Sequence, residues 1–275
     1  MQQVLMCPVC QAALSKAEKR YVCEKGHSFD VSSKRYVNLL VGADGAVHGD
    51  NKEMILARHR FLYGNWYAPL LAKIKELCVS VFSASGVLLD SGCGEGYYTA
   101  GICAALQDAH KQAACIGIDI SKDAVIEAGK TEFARSGMLS LAVASVYHMP
   151  ILDESCDMVT SFFAPLCDES FKRVLKKGGH LLLAVPGKKH LWGLKEVLYD
   201  TPYENEVKDP ALDGFTLVKR CTVEENVTFG KEAFSDLFAM TPYGYRTPKA
   251  GRDRLAAKES LETLISFELF LYTKD

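Results

Sequence analysis

Cys7, Cys10, Cys23 and His27 stand at the spacing C-x2-C-x12-C-x3-H, and no other feature of the chain restricts its local fold so tightly. Two thiolates three residues apart on a tight knuckle can share one ion, and a second knuckle supplies the remaining Cys and His. With protein at all four positions of a tetrahedral zinc site, none is left for water or substrate, so the expected metal is structural. For a segment this short it would supply most of the folding free energy, roughly 10 to 16 kcal/mol. The other seven cysteines, Cys78, Cys93, Cys103, Cys115, Cys156, Cys167 and Cys221, lie singly in apolar stretches and read as small core residues.

A chain of 275 residues can bury a substantial core plus one small appendage, but not two large domains. Met1 to Met6 lacks a basic stretch followed by an apolar run, and no apolar stretch approaches the length of a membrane span. The expectation is a soluble, cytoplasmic protein without a membrane partner, and the scattered thiols suit a reducing compartment. A net charge of −2 argues against nucleic-acid binding through bulk positive charge. The distribution is uneven, however. Residues 1–35 carry Lys16, Lys19, Arg20, Lys25, Lys34 and Arg35 against Glu18, Glu24 and Asp30.

Three glycines between Asn38 and Gly49 mark a linker. Asp50-x-x-Glu53 has the form of a capping box opening a helix that Gly64 ends, and Leu70, Ile74, Leu77, Cys78 and Val81 form one face of a second helix. From Gly86 on, strands alternate with helices: strands 87–90, 115–119, 139–143, 157–163 and 180–185, with helices 97–106, 121–135 and 168–175 between them. Lys177-Gly178-Gly179 reads as a helix stop, 215–223 and 264–272 as late strands, and 231–240 and 252–263 as late helices. Such alternation implies an α/β fold with a parallel sheet covered on both faces. The division expected is a zinc module at 1–35, a linker with bridging helices at 36–82, and a catalytic domain at 83–275.

The first of these strands runs into Asp90-Ser91-Gly92-Cys93-Gly94-Glu95-Gly96-Tyr97-Tyr98-Thr99. Glycines at every second position let a ligand lie against the backbone where the chain leaves the sheet. The acidic lead and the D-x-G-x-G-x-G spacing differ from the dinucleotide fingerprint and resemble the first motif of the class I S-adenosylmethionine-dependent methyltransferases, with their Rossmann-like sheet. A sulfonium cofactor without phosphate profits from carboxylates at its amino acid end, which Asp90 and Glu95 supply. Asp119, closing the next strand, stands where such folds bind ribose hydroxyls. Ser145 occupies the place of the usual acidic residue near the adenine.

The chain as a whole resembles the bacterial 23S rRNA (guanine-N1)-methyltransferases. The resemblance runs through the four zinc ligands, Gly26 to Asp30, Tyr36 to Leu40, Ala57-Arg58, Phe61-Leu62, Asp90 to Thr99, Ala164-Pro165, Pro186-Gly187, His190-Leu191 and Met240 to Pro242. It implies methyl transfer to guanine N1 in a hairpin loop of 23S rRNA, zinc on Cys7, Cys10, Cys23 and His27, and cofactor contacts at Tyr67, Gly94, Glu95 and His190, beside Asp90, Gly92 and Asp119. The basic residues Lys16, Lys19, Arg20 and Lys25 would meet the RNA. Guanine N1 must lose its proton before attack, so positioning and a base or water acceptor carry the rate, and its Watson-Crick edge must be unpaired. Where amino-group methyltransferases carry an acidic or amide residue before Pro-Pro-aromatic, this chain has Phe162-Phe163-Ala164-Pro165, so either phenylalanine could stack on the base. Asp168 and His148 are nearby candidates for a base. The rival readings are a methyltransferase for a small molecule such as a quinone or sterol, and a non-catalytic zinc-containing RNA-binding protein. A homodimer would enlarge the footprint of one small basic module.

Overall fold

Strand alternation decides which side of the sheet each residue faces, and in this molecule it also decides where the N-terminal module can sit. The computed structural model describes residues 4–41, 49–207 and 211–275, so most of the glycine-bearing linker and the first three residues lie outside the described residues. Strands β1 (Leu14–Ala17), β2 (Arg20–Cys23) and β3 (Ser28–Asp30) form a three-stranded antiparallel ribbon, in which Leu14 faces Cys23 and Ala17 faces Arg20. The chain then leaves the ribbon as β4 (Tyr36–Asn38), which pairs in parallel with the core sheet.

Helices α1 (Lys52–Tyr63) and α2 (Ala68–Val81) precede the alternating part of the chain. The N-cap of α1 is Asn51, whose side chain accepts from Met54 N–H, one residue after the expected Asp50; Asp50 is engaged by Arg58 instead. There follow β5 (Ser85–Ser91), α3 (Tyr97–Asp108), β6 (Gln112–Asp119), α4 (Lys122–Ala128), α5 (Glu132–Ser136), β7 (Leu139–Val143), β8 (Cys156–Phe162), α6 (Asp168–Val174) and β9 (Leu175–Pro186). The helix expected over 121–135 is two helices, because Gly129 ends the first and Thr131 caps the second. Leu175 is already extended, so Lys177-Gly178-Gly179 lies within β9 and does not stop a helix.

The chain ends with α7 (Trp192–Leu198), β10 (Phe215–Gly230), α8 (Lys231–Met240), α9 (Tyr243–Arg246), α10 (Lys249–Ala256) and β11 (Ser260–Lys274). The helix expected over 252–263 stops at Ala256; from Leu261 every second residue through Leu271 is buried, and this period of two continues the last strand backwards. The sheet order is β10-β11-β9-β8-β5-β6-β7-β4, with β11 antiparallel to both its neighbours and the other pairings parallel.

Leu88, Cys115, Leu141, Met158 and Leu182 face a cluster with residues of α1, α2, α3, α7 and α8. Val87, Leu89, Ile116, Ile118, Val159 and Leu181 face the opposite cluster, which holds Phe171 and Val174 of α6 and also Val4, Leu5, Cys7, Leu14, Tyr21 and Cys23 of the ribbon. The ribbon therefore covers one face of the sheet. Met6 N–H donates to Pro150 O and Leu152 N–H to Val4 O, both at 2.8 Å, and these bonds tie it to the loop after β7.

Candidate metal and cofactor sites

The ribbon places the donor atoms of Cys7, Cys10, Cys23 and His27 within 4.8 Å of one another. Cys10 Sγ lies 3.7 Å from Cys23 Sγ, and His27 Nδ1 lies 3.3 Å from Cys23 Sγ and 3.6 Å from Cys7 Sγ. A tetrahedron with zinc–sulfur bonds of about 2.3 Å has edges of about 3.8 Å, so one zinc fits the set. Backbone turns shape both knuckles: Gln11 N–H reaches Cys7 O at 2.8 Å, Gly26 N–H reaches Cys23 O at 3.0 Å, and Gly26 takes φ +84°. Burial opposes ionisation of Cys23, but hydrogen bonds from the His27 and Lys25 backbone and the His27 ring outweigh it and bring the thiol down to about 6, as a thiolate ligand requires. With four protein donors, a metal bound there would be structural. Lys16, Lys19, Arg20 and Lys25 are all exposed on this ribbon, and among the described residues none forms an ion pair.

At the mouth of β5 the loop is stitched to β6. Gly92 and Cys93 N–H both donate to Ile118 O at 2.9 Å, and Gly94 N–H donates to Asp119 Oδ2 at 2.9 Å, while Ser121 N–H donates to Asp119 Oδ1 at 2.8 Å. Gly92, Gly94 and Gly96 all have positive φ. Among the described residues a Cβ on Gly94 would meet only Arg58 Nη1, at 3.9 Å, which leaves the backbone there open to a ligand. Burial raises the Asp119 carboxyl above its ordinary range, partly offset by the two amide donors.

Asp90 is 1% exposed, and both its oxygens are engaged: Oδ1 accepts from Thr160 Oγ1 at 2.8 Å and Oδ2 from Thr99 Oγ1. It joins β5 to β8 and α3 below the loop. Burial lifts its carboxyl to about 6 against those two hydrogen bonds. Glu95 is also buried, which raises it to about 7 despite the Arg58 guanidinium 3.9 Å away.

Sequence reasoning did not single out Arg58 as a site residue. It bonds Asp50, lies beside Glu95 and reaches Met240 O at 3.4 Å, linking α1, the glycine loop and the end of α8. The available signal was a cation at i+3 from Ile55 and i−4 from Leu62, on the buried stripe of α1.

Tyr67 and His190, 123 residues apart in the chain, do meet: Tyr67 Oη is 3.3 Å from His190 Nε2, and His190 Nδ1 accepts from Ser266 N–H at 3.1 Å. That acceptor role leaves the proton on Nε2, which donates to Tyr67. Burial lowers His190 to about 3, so the ring is neutral, and burial raises the Tyr67 phenol. Among the described residues, the hydroxyls of Ser91 and Tyr97 are buried without a hydrogen-bond partner in and next to this loop. Open backbone, unsatisfied hydroxyls and acidic groups fit a cofactor with hydroxyl and ammonium groups, such as S-adenosylmethionine.

The two phenylalanines differ. Phe162 is 7% exposed and packs in the core, whereas Phe163 is 43% exposed. Asp168 is exposed at the start of α6. His148 and Ser145 instead line a groove of about 880 Å³ between the ribbon residues Met6, Pro8 and Gln11 and the loop after β7. Among the described residues no helix is long and apolar enough to cross a membrane.

The sheet order, the glycine loop and the four-ligand ribbon together define a class I S-adenosylmethionine-dependent methyltransferase with an N-terminal zinc ribbon. Residues 5–41 match the family model described as RlmA, N-terminal, and residues 89–183 match the methyltransferase domain model. The chain is 31% identical over 278 residues, covering 98% of itself and 96% of its relative, to YxjB of Bacillus subtilis (strain 168), which bears a 23S rRNA (guanine-N(1)-)-methyltransferase name. It is 32% identical over 197 residues, 70% of this chain and 67% of the relative, to the 23S rRNA (guanine(748)-N(1))-methyltransferase of Streptomyces fradiae. The chain belongs to the 23S rRNA (guanine-N1)-methyltransferase family. For the fold alone, the YcgJ structure from Bacillus matches with TM-score 0.50 at 15% identity, covering 74% of this chain and 98% of that one.

Proposed function

We propose that this protein methylates N1 of a guanine in a hairpin loop of 23S rRNA, using S-adenosylmethionine, with the zinc ribbon choosing the RNA. The observation that carries this reading is the position of the ribbon: it lies on the sheet beside the groove and presents Lys16, Lys19, Arg20 and Lys25 exposed, with no ion pair among the described residues, on a chain of net charge −2. Those cations would meet phosphates, which supply affinity without sequence information. The working division is recognition by 1–35, bridging by 36–82 and chemistry by 83–275, in a cytoplasmic protein that a homodimer would give a wider footprint.

For the cofactor, Asp119 would take the ribose hydroxyls, Glu95 the ammonium end, and Gly92 and Gly94 the open backbone. The Tyr67–His190 pair would close the far side, and Asp90 would act by holding the loop's shape. Bound there, S-adenosylmethionine supplies an electrophilic methyl group. The protein's part is to hold guanine N1 in line with it and to keep water from the reacting atoms. The test is label transfer from S-adenosylmethionine to a transcript of the hairpin, followed by reverse transcription. A stop at one guanine is the expected result, and label passing to a small metabolite with the RNA unmodified would overturn the reading.

A further inference from the structure

Packing accounts for neither the exposed ring of Phe163 nor the hydroxyl of Tyr98. Phe163 directly follows β8 and takes φ +56°, a left-handed conformation sparsely populated by bulky aromatic residues and concentrated at functional sites. Its amide N–H donates to Ala184 O at 3.0 Å, so the sheet fixes the backbone, and the next residue abuts the cofactor loop, where a Cβ on Gly92 would come within 2.7 Å of Ala164 Cβ. The result of this conformation is an exposed ring, 5.7 Å from Phe267 and 6.2 Å from Tyr98.

Tyr98 stands in the first turn of α3, half-buried with its ring 5.4 Å from Phe162, its hydroxyl closed to solvent and, among the described residues, without a hydrogen-bond partner. A buried polar atom left unpaired is costly and rare unless a ligand completes it. Burial, with Tyr67, Tyr97 and Glu95 nearby, holds the phenol well above its ordinary range, so it remains an O–H donor.

We propose that Phe163 and Tyr98 form the slot for the target base, Phe163 stacking on its face and the Tyr98 hydroxyl donating to guanine O6. This rests on the RNA reading above. As transfer proceeds, the N1 proton passes to water, the N1 lone pair forms the new bond to carbon, and the electron pair of the breaking methyl–sulfur bond stays on sulfur. Loss of the N1 proton places negative charge on O6, where the Tyr98 O–H meets it. Adenine has no N1 proton to lose and no oxygen at that position, so the charge that this hydroxyl meets develops only on guanine.

The test uses the full chain with Tyr98→Phe and Phe163→Leu, rates on the hairpin transcript over pH values from about 6 to 9, and cofactor affinity by calorimetry. Tyr98→Phe is expected to lower kcat roughly 100-fold, with the deficit shrinking as pH rises and the S-adenosylmethionine Kd unchanged. Phe163→Leu is expected to raise the RNA KM about tenfold. Wild-type rates in Tyr98→Phe, or a loss of cofactor affinity equal to the loss of rate, would overturn the slot while leaving guanine methylation standing. A wild-type product methylated elsewhere than guanine N1 would remove the RNA reading and the slot with it.

Discussion

The zinc ribbon and the cofactor loop hold their shape by different means. In the ribbon, four side chains within 21 residues converge on one point, where a single ion would join them. The loop needs no ion. Two N–H groups on Ile118 O, one on Asp119 and two threonine hydroxyls on Asp90 hold it open before any ligand arrives. One region is assembled by its ligand, and the other is preorganised for one. The ribbon is nevertheless no detached appendage, because Leu14, Tyr21 and Cys23 share an apolar cluster with Ile116 and Val159 of the sheet.

The sharpest break of this contrast is zinc removal. Cys23→Ser, or chelation, is expected to remove stability on the order of 10 kcal/mol from the ribbon and, by uncovering a sheet face, to abolish the native thermal transition of the whole chain. Elemental analysis beside a melting curve checks it; a metal-free protein that melts as the native one would show that the ribbon does not need its ion.

On the loop side, Asp119→Ala removes the proposed ribose acceptor at a half-buried position where water can take up the two amide donors, and S-adenosylmethionine affinity measured by calorimetry should fall about 100-fold, with the melting temperature little changed. Asp90→Ala should do the reverse, costing about 2 kcal/mol of stability in denaturant unfolding and sparing affinity once folding is restored. Exchange of these two outcomes would reverse the roles assigned to the two carboxylates.

The smallest effect concerns protons. Burial raises Glu95 from 4.5 to about 7, so the folded protein holds that proton more tightly than the unfolded chain does. Its contribution to stability is therefore fully present below about pH 4.5 and is lost as pH rises through about 7. A cofactor ammonium beside Glu95 would favour the ionised form, so binding near neutrality should release a proton. Calorimetric heats that do not vary with the ionisation heat of the buffer would contradict that contact.

The difference in assembly also explains what the sequence made legible. Cys7, Cys10, Cys23 and His27 could be read because the ligands are local, and the Asp90 to Thr99 loop because its glycines follow one strand. Arg58 shows locally only as a cation on the buried stripe of α1, and nothing nearby in the sequence names its partners on the preceding segment, the loop and the end of α8. Asp90 showed its charge but not its direction, since Thr160 arrives from a strand 70 residues later. The last helix was drawn too long because its apolar residues do not show where period 3.6 gives way to period two until the buried partners across β9 and β10 are known.

The central claim is that the ribbon selects the RNA while the loop carries the cofactor. It is tested most directly by replacing Lys16, Lys19, Arg20 and Lys25 together with Ala and measuring hairpin methylation against salt concentration alongside cofactor affinity. The account predicts a raised RNA KM, a salt dependence shallower by about three in log–log slope, and an unaltered S-adenosylmethionine Kd. An unchanged RNA KM and salt slope would contradict it.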